Sequence, residues 1–269
     1  MAHPENGRLL MQKGTLDYIR FGGGERTLVL LPGVGDGLKT VRGMAAPFAM
    51  LYRELARDFT VYAFSRGNEL APGTGTREMA GELSEAMDML GLSGAAVVGV
   101  SQGGMIAQWL AIDHPDKVKC LVLTVTTART NPTLQGCIDR WSEMARRGDY
   151  QGIMLDTAER SYSPKRVRQA RLTFLLMGNM GRPDSFDRFL AEAASCVTHD
   201  ALEDLDRISC PTLVIGGTDD RIATGEASEE IAARIPGARL YMYEGLGHGL
   251  YEEAKDFIPR VAAFCRSAR

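Results

Sequence analysis

With 269 residues, 45% of them hydrophobic and 24% charged, the chain has material for one large core or two small ones and the balance of an ordinary globular protein. A formal net charge of −3 gives no electrostatic footing on nucleic acid, so no nucleic-acid partner is expected. The opening residues Met1-Ala2-His3-Pro4-Glu5-Asn6 lack the basic and apolar regions of a signal peptide. No apolar run reaches membrane-spanning length, so a cytoplasmic protein with no membrane partner is expected. Five cysteines (Cys120, Cys137, Cys196, Cys210, Cys265) are odd in number, widely spread and never in Cys-x-x-Cys pairs. They read as reduced, mostly buried thiols, not as a disulfide framework or a metal site.

Residues 8–21 hold two strand-like runs around Lys13-Gly14, the pattern of a hairpin. Gly22-Gly23-Gly24 then breaks the chain before Thr27-Leu28-Val29-Leu30-Leu31, a continuous apolar run that suits a strand covered on both faces. Similar runs recur at 61–64, 95–100, 120–125 and 212–215, with a weaker one at 240–243. Helical periodicity occupies 44–58, 76–90, 105–114, 225–235 and 251–267. Strands alternating with helices imply an α/β fold, a mostly parallel sheet with helices on both faces. Residues 129–207 break the alternation with helix-like stretches separated by Gly148-Asp149, Ser163-Pro164 and Gly181-Arg182-Pro183. Trp141, Phe174, Leu175, Leu176, Phe186 and Phe189 need a packing partner, so this segment reads as an inserted helical lid. The core is then expected in 1–128 and 208–269.

The chemistry starts at Gly99-Val100-Ser101-Gln102-Gly103-Gly104, between an apolar run and a helical pattern. Glycines two before and two after a serine allow a very tight strand-to-helix turn that holds the hydroxyl out at the carboxyl edge of the sheet. A serine needs a base, and the base needs an orienting group. His3 lies in the N-terminal tail, and His199 is in the inserted segment. His114 is about 20 Å along the following helix at 1.5 Å per residue. His248, in Glu244-Gly245-Leu246-Gly247-His248-Gly249 after the last strand, opens on the same sheet edge as Ser101 and is the admissible base. The run Thr212-Leu213-Val214-Ile215-Gly216-Gly217 leads into Thr218-Asp219-Asp220-Arg221, which offers two carboxylates for the third role. Asp220 is favoured by the tight turn before it, with Asp219 as the alternative and turn or capping chemistry as the bland role for either. The backbone N–H groups of Val34 and Gln102 are positioned to hold a developing oxyanion.

The chain order of Ser101, Asp220 and His248, the Gly-x-Ser-x-Gly-Gly turn and the Pro32-Gly33 strand exit resemble the α/β-hydrolase superfamily over essentially the whole chain. The run from Gly99 to Ala111, with His114-Pro115 and Val118 after it, is most similar to the esterase, 3-oxoadipate enol-lactonase and proline iminopeptidase-like branch. Three departures stand out. The family's His-Gly after the first central strand is Pro32-Gly33. Its Asp-x-Arg-Gly-x-Gly loop reads Phe64-Ser65-Arg66-Gly67-Asn68, without the first acid. Gln102 replaces the commoner methionine and is expected to add an amide near the oxyanion. The resemblance implies a cofactor-independent serine hydrolase acting on an ester, lactone or similar acyl bond of a small molecule. Two other uses carry the same motifs: non-hydrolytic carbon–carbon cleavage or lyase chemistry, and a ligand receptor with a retained triad.

Other motifs compete less well. Gly33-Val34-Gly35-Asp36-Gly37-Leu38-Lys39-Thr40 approaches a phosphate loop, but Leu38 stands where glycine is required, so no nucleotide cofactor is expected. Its glycines suit a flexible loop beside the active site. Arg160, Lys165, Arg166, Arg168 and Arg171 form a basic cluster that reads as a solvated helix face or as an attractor for an anionic substrate. Trp141, Met144, Met154, Met177 and Met180 suit either a pocket lining or the lid's own core. Trp109, eight residues after Ser101, is expected beneath the turn.

Overall fold

A computed structural model describes residues 2–177 and 179–268, the side chains of residue 2 and residues 174–177 excepted. The strands are β1 (Ala2–Met11), β2 (Gly14–Gly22), β3 (Arg26–Leu31), β4 (Phe59–Gly67), β5 (Ala95–Val100), β6 (Val118–Thr124), β7 (Thr212–Gly217) and β8 (Arg239–Tyr243). The helices are α1 (Ala45–Leu51), α2 (Leu55–Asp58), α3 (Thr76–Met89), α4 (Gln102–Asp113), α5 (Pro132–Arg146), α6 (Tyr150–Ser161), α7 (Pro164–Met177), α8 (Asp187–Thr198), α9 (Gly225–Arg234), α10 (Leu250–Glu253) and α11 (Phe257–Ser267). The strands form one sheet in the order β1-β2-β4-β3-β5-β6-β7-β8. β1–β2 and β2–β4 are antiparallel, and every pairing from β4 onward is parallel.

The uninterrupted apolar runs are buried on both faces, and the period of two in a strand divides their side chains between two cores. Val29 and Leu31 of β3, with Val97 of β5 and Leu121 and Leu123 of β6, pack with α3, α4 and α9. Leu28, Leu30, Val98 and Val122 point the other way, onto Ala45, Leu55, Ala56, Phe257 and Val261. Truncating one of the fully buried leucines, such as Leu121, costs about 2–5 kcal/mol through lost transfer energy and the cavity left behind.

Two expected helices are broken. The 44–58 pattern turns at residues 52–54, and α2 then drops Leu55 and Ala56 onto the sheet. The 251–267 pattern is interrupted at residues 254–256. Pro259 has no N–H to give to a preceding turn, so α11 restarts at Phe257 and carries the proline within its first turn. Helix α4 begins at Gln102, three residues earlier than its apolar periodicity alone indicates, because the turn at Ser101 is tight enough to enter the helix at once.

Between β6 and β7 the chain forms α5 to α8 and a 3-10 turn at Leu202–Arg207. Trp141, Phe186 and Phe189 are buried in a third core with Leu134, Ile138 and Ile153, joined by Met105 of α4 and Ile222 beyond β7. Phe174, Leu175, Leu176 and Met177, which also bear on this expectation, lie outside the described side chains. Among the described residues, strand-like pairing in the insertion is limited to one bridge, Arg129 with Asp200. No helix among the described residues is long and apolar enough to cross a membrane.

Candidate active site

Ser101 sits between β5 and α4 with φ 53° and ψ −121°, a conformation that L side chains rarely adopt. Its surroundings over-determine it. Its N–H donates to Thr124 O at 2.9 Å, and its carbonyl accepts from Gly104 N at 2.8 Å and from Thr126 Oγ1 at 2.7 Å. The flanking glycines are required by close approach: a Cβ on Gly99 would lie 2.5 Å from Gly103 O, and one on Gly103 would lie 2.1 Å from Leu31 O. A serine presented this way is a half-buried hydroxyl held at a helix N-terminus, facing a cavity.

His248 and Asp220 come from the loops after β8 and β7, which touch where Asp219 N donates to Leu246 O at 3.0 Å. His248 Nδ1 lies 2.9 Å from Asp220 Oδ2 and 3.1 Å from Oδ1, both side chains being buried. Asp220 Oδ1 also accepts the N–H groups of Ile222 (2.8 Å) and Ala223 (3.0 Å). Burial pushes this carboxyl upward, but the attraction of His248 and these hydrogen bonds outweigh it and hold Asp220 below the usual carboxylate range. The Asp219 side chain is exposed and, among the described residues, accepts only from the neighbouring Thr218 hydroxyl. Of the two aspartates, geometry therefore pairs Asp220 with the histidine.

Ser101 and His248 line the same cavity of about 410 Å³. Among the described residues no hydrogen bond joins Ser101 Oγ to His248, as is common for such pairs before substrate binds. The loop carrying Val34 runs beside the serine, since a Cβ on Gly33 would lie 3.3 Å from Ser101 Cβ. The N–H groups of Val34 and Gln102 donate to no acceptor among the described residues. Ile138, Trp141, Ile153 and Met154 of the insertion line the cavity opposite the strand ends. Met144 is half-buried in the insertion's core, Met180 is exposed, and the Met177 side chain is outside the described ones. Among the described residues no group of three or more His, Cys, Asp or Glu side chains is arranged to hold a metal ion.

The remaining histidines lie apart. His199 is buried with Nδ1 2.8 Å from Thr76 Oγ1, and burial pushes it down to about 3. His114 closes the far end of α4. Trp109 is buried beside His199, with Arg77 over its ring, away from the cavity. In the basic cluster, Arg160 pairs with Asp156, Arg166 with Glu252 and Arg171 with Glu159, while Lys165 and Arg168 are exposed. That is the pattern of a solvated, ion-paired face.

Two expectations are corrected. The Gln102 side chain does not reach the oxyanion region. Its Nε2 donates to Glu192 O (2.8 Å) and Ser195 Oγ (3.0 Å) of α8, and its Oε1 accepts from Arg66 Nη2 at 3.0 Å. Arg66 Nη2 also donates to Pro32 O. This guanidinium therefore ties the loop that carries Val34 to the residue after Ser101. Asp36 supplies the carboxylate missing from the Ser65-Arg66 loop: it accepts from Ser65 Oγ (2.7 Å) and Arg66 N (3.0 Å) and pairs with Arg188 of α8. Loop 33–40 is accordingly pinned, its 3-10 turn Val34–Gly37 fastened by Asp36, not free as its glycines suggest. Glu192, completely buried and near Asp36, is pushed up to about 8 against the pull of Arg66 and Arg188. Sequence reasoning missed this cluster. Its signals were present, in an acid inside a failed phosphate loop and an arginine in a loop lacking its usual acid.

With the site assembled, its likeness to known proteins can be placed. The family model described as alpha/beta hydrolase fold matches residues 26–255. The protein named "Putative carbamate hydrolase RutD" of Caulobacter sp. strain K31 is 28% identical, the alignment covering 91% of this chain and 94% of that protein. Among solved structures, MGS-M2, an alpha/beta hydrolase enzyme from a Medee basin deep-sea metagenome library, superposes with a TM-score of 0.86 at 22% identity, covering 98% of both chains. The enol-lactonase of Burkholderia xenovorans LB400 superposes with a TM-score of 0.80 at 21% identity, over 97% of this chain and 100% of that one. The strand order, the turn at Ser101 and the match over most of the length agree: the chain belongs to the alpha/beta hydrolase fold family.

Proposed function

We propose that this chain is a cofactor-independent serine hydrolase that cleaves an ester, lactone or related acyl bond of a small molecule. His248 Nε2 takes the Ser101 proton as Oγ attacks the carbonyl carbon, and Asp220 stabilises the imidazolium formed. The oxyanion is held by the Val34 and Gln102 N–H groups. Collapse expels the leaving group, which receives the proton from His248, and an acyl-enzyme remains on Ser101. Water, deprotonated by His248, then attacks the acyl carbon and releases the acid, and Ser101 recovers its proton. Residues 129–207 act as a helical lid over the core formed by 1–128 and 208–269, in a protein working in the cytoplasm.

The observation that carries this reading is the shared cavity wall: a strained, outward-held serine with a histidine whose other nitrogen is fixed by a buried carboxylate. The carbamate-hydrolase name of a relative aligned over nearly its full length supports acyl-bond chemistry. A screen of short-chain esters and lactones, with Ser101→Ala as control, tests it. Turnover abolished by Ser101→Ala, with stoichiometric fluorophosphonate labelling of the parent, is expected. Folded protein that neither turns over any of these compounds nor labels would sink the proposal.

A further inference from the structure

A second cavity of about 230 Å³ adjoins the first and shares Pro32, Gly33, Phe48, Tyr251 and Glu252 with it. It lies on the sheet face covered by α1, α2 and α11, between the ends of β3 and β5 and the side chains of Leu55 and Val261. Its wall is aliphatic and aromatic apart from the hydroxyls of Tyr52 and Tyr251 and the carboxylate of Glu252. Glu252 is held by Tyr162 and Arg166, at the end shared with the first cavity. Leu51, 58% exposed, stands where this chamber meets solvent. Away from those three polar groups the chamber's wall is apolar, and such a space takes up apolar groups readily.

The position of His248 decides which part of a substrate belongs there. The leaving atom must come within reach of the imidazole that protonates it, so the leaving group occupies the cavity lined by His248. His248 does not line the second chamber. The chamber is reached instead past Pro32 and Gly33, at the start of the loop that carries Val34 and beside Ser101. We propose, building on the acyl-transfer reading above, that the second chamber receives the acyl chain, and that the substrates are carbonyl compounds whose acyl part is an unbranched aliphatic chain. The leaving group then sits under α5 and α6, and the chain passes Phe48 and Tyr251 toward Leu51.

The test is an acyl-length series of p-nitrophenyl esters, from acetate to decanoate, with one constant leaving group. In the unmodified protein kcat/KM is expected to climb with length by up to about fourfold per buried methylene, levelling off once the chain reaches solvent. Val261→Phe fills the chamber, and Ile258→Phe, at a half-buried wall position, does so with less disturbance to the core. Each variant, checked for cooperative melting, is expected to lower the octanoate-to-acetate ratio of kcat/KM at least tenfold. A flat length profile in the unmodified protein, or a ratio kept by the folded variants, overturns the chamber assignment and leaves the hydrolase reading intact. Absence of turnover across the series together with absence of fluorophosphonate labelling overturns both.

Discussion

The loops carrying Asp220 and His248 and the cluster beneath α8 flank the same serine, and both bury carboxylates, with opposite electrostatic results. Asp220 receives two backbone N–H groups and the His248 ring, and its pKa is held low in spite of burial. Glu192 is completely buried near Asp36, and although Arg188 Nη2 lies 3.1 Å from one oxygen and Arg66 Nε 3.9 Å from the other, burial wins and it is pushed up to about 8. Burial raises an acid in both places; fixed donors reverse it in only one. The first region is organised to keep a negative charge beside an imidazole. The second fastens α8 of the insertion to loop 33–40 through Asp36 and to the residue after Ser101.

That contrast can be broken from either side. The largest effect is expected from Ser101→Ala, a loss of about 10⁴–10⁶ in kcat on whichever ester is turned over, measured against enzyme of equal folded fraction. Asp220→Asn should cost about 10⁴ in kcat by leaving His248 in the wrong tautomer. Asp219→Ala should stay within about threefold, since the Asp219 side chain is exposed and, among the described residues, accepts only from the Thr218 hydroxyl. A larger loss at Asp219 would reassign the third member of the triad. Arg66→Met tests the fastening: it removes the link between Pro32 O and Gln102, so kcat should fall about a hundredfold with KM little changed, after active-site titration with a fluorophosphonate. A KM effect at constant kcat would place Arg66 in binding instead.

A further expected effect is on stability. Glu192 has its pKa raised from 4.5 to about 8 on folding, so the folded chain keeps a proton that the unfolded chain releases. Stability from this group is therefore complete below about pH 4.5 and is lost as pH rises toward 8. Glu192→Gln should flatten that part of the profile, read as the change in urea midpoint between pH 5 and pH 8. An unaltered slope would mean that Arg66 and Arg188 keep Glu192 ionised throughout.

Much of the fold was legible in the chain because its signals are local. The run Ala95–Val100 is apolar at every position but Gly99, which suits a strand buried on both faces, and Gly103 follows because no Cβ fits against Leu31 O. His248 could be reached by elimination among four histidines, since the alternation of strands and helices places its loop at the serine's edge of the sheet. The charge cluster was not legible. Asp36, Arg66, Arg188 and Glu192 come from three distant segments, and each alone reads as a surface charge. The second chamber was equally hidden, because Leu55 and Val261 carry ordinary core patterns and only their separation in space leaves a cavity.

The residue sequence by itself determined the sheet and the tight turn at Ser101, and it narrowed the proposed base to His248 and the proposed acid to two neighbouring aspartates. These follow from periodicity, from the sterics of glycine and from the small number of histidines, all properties of short stretches of chain. Tertiary structure alone decided that Asp220 faces His248 while Asp219 faces solvent, and that the Gln102 amide serves α8 instead of the oxyanion. It also decided that an apolar chamber not lined by His248 opens beside Gly33. Each of these depends on where side chains from separate segments point after packing, and a buried donor or void exists only once those segments have met.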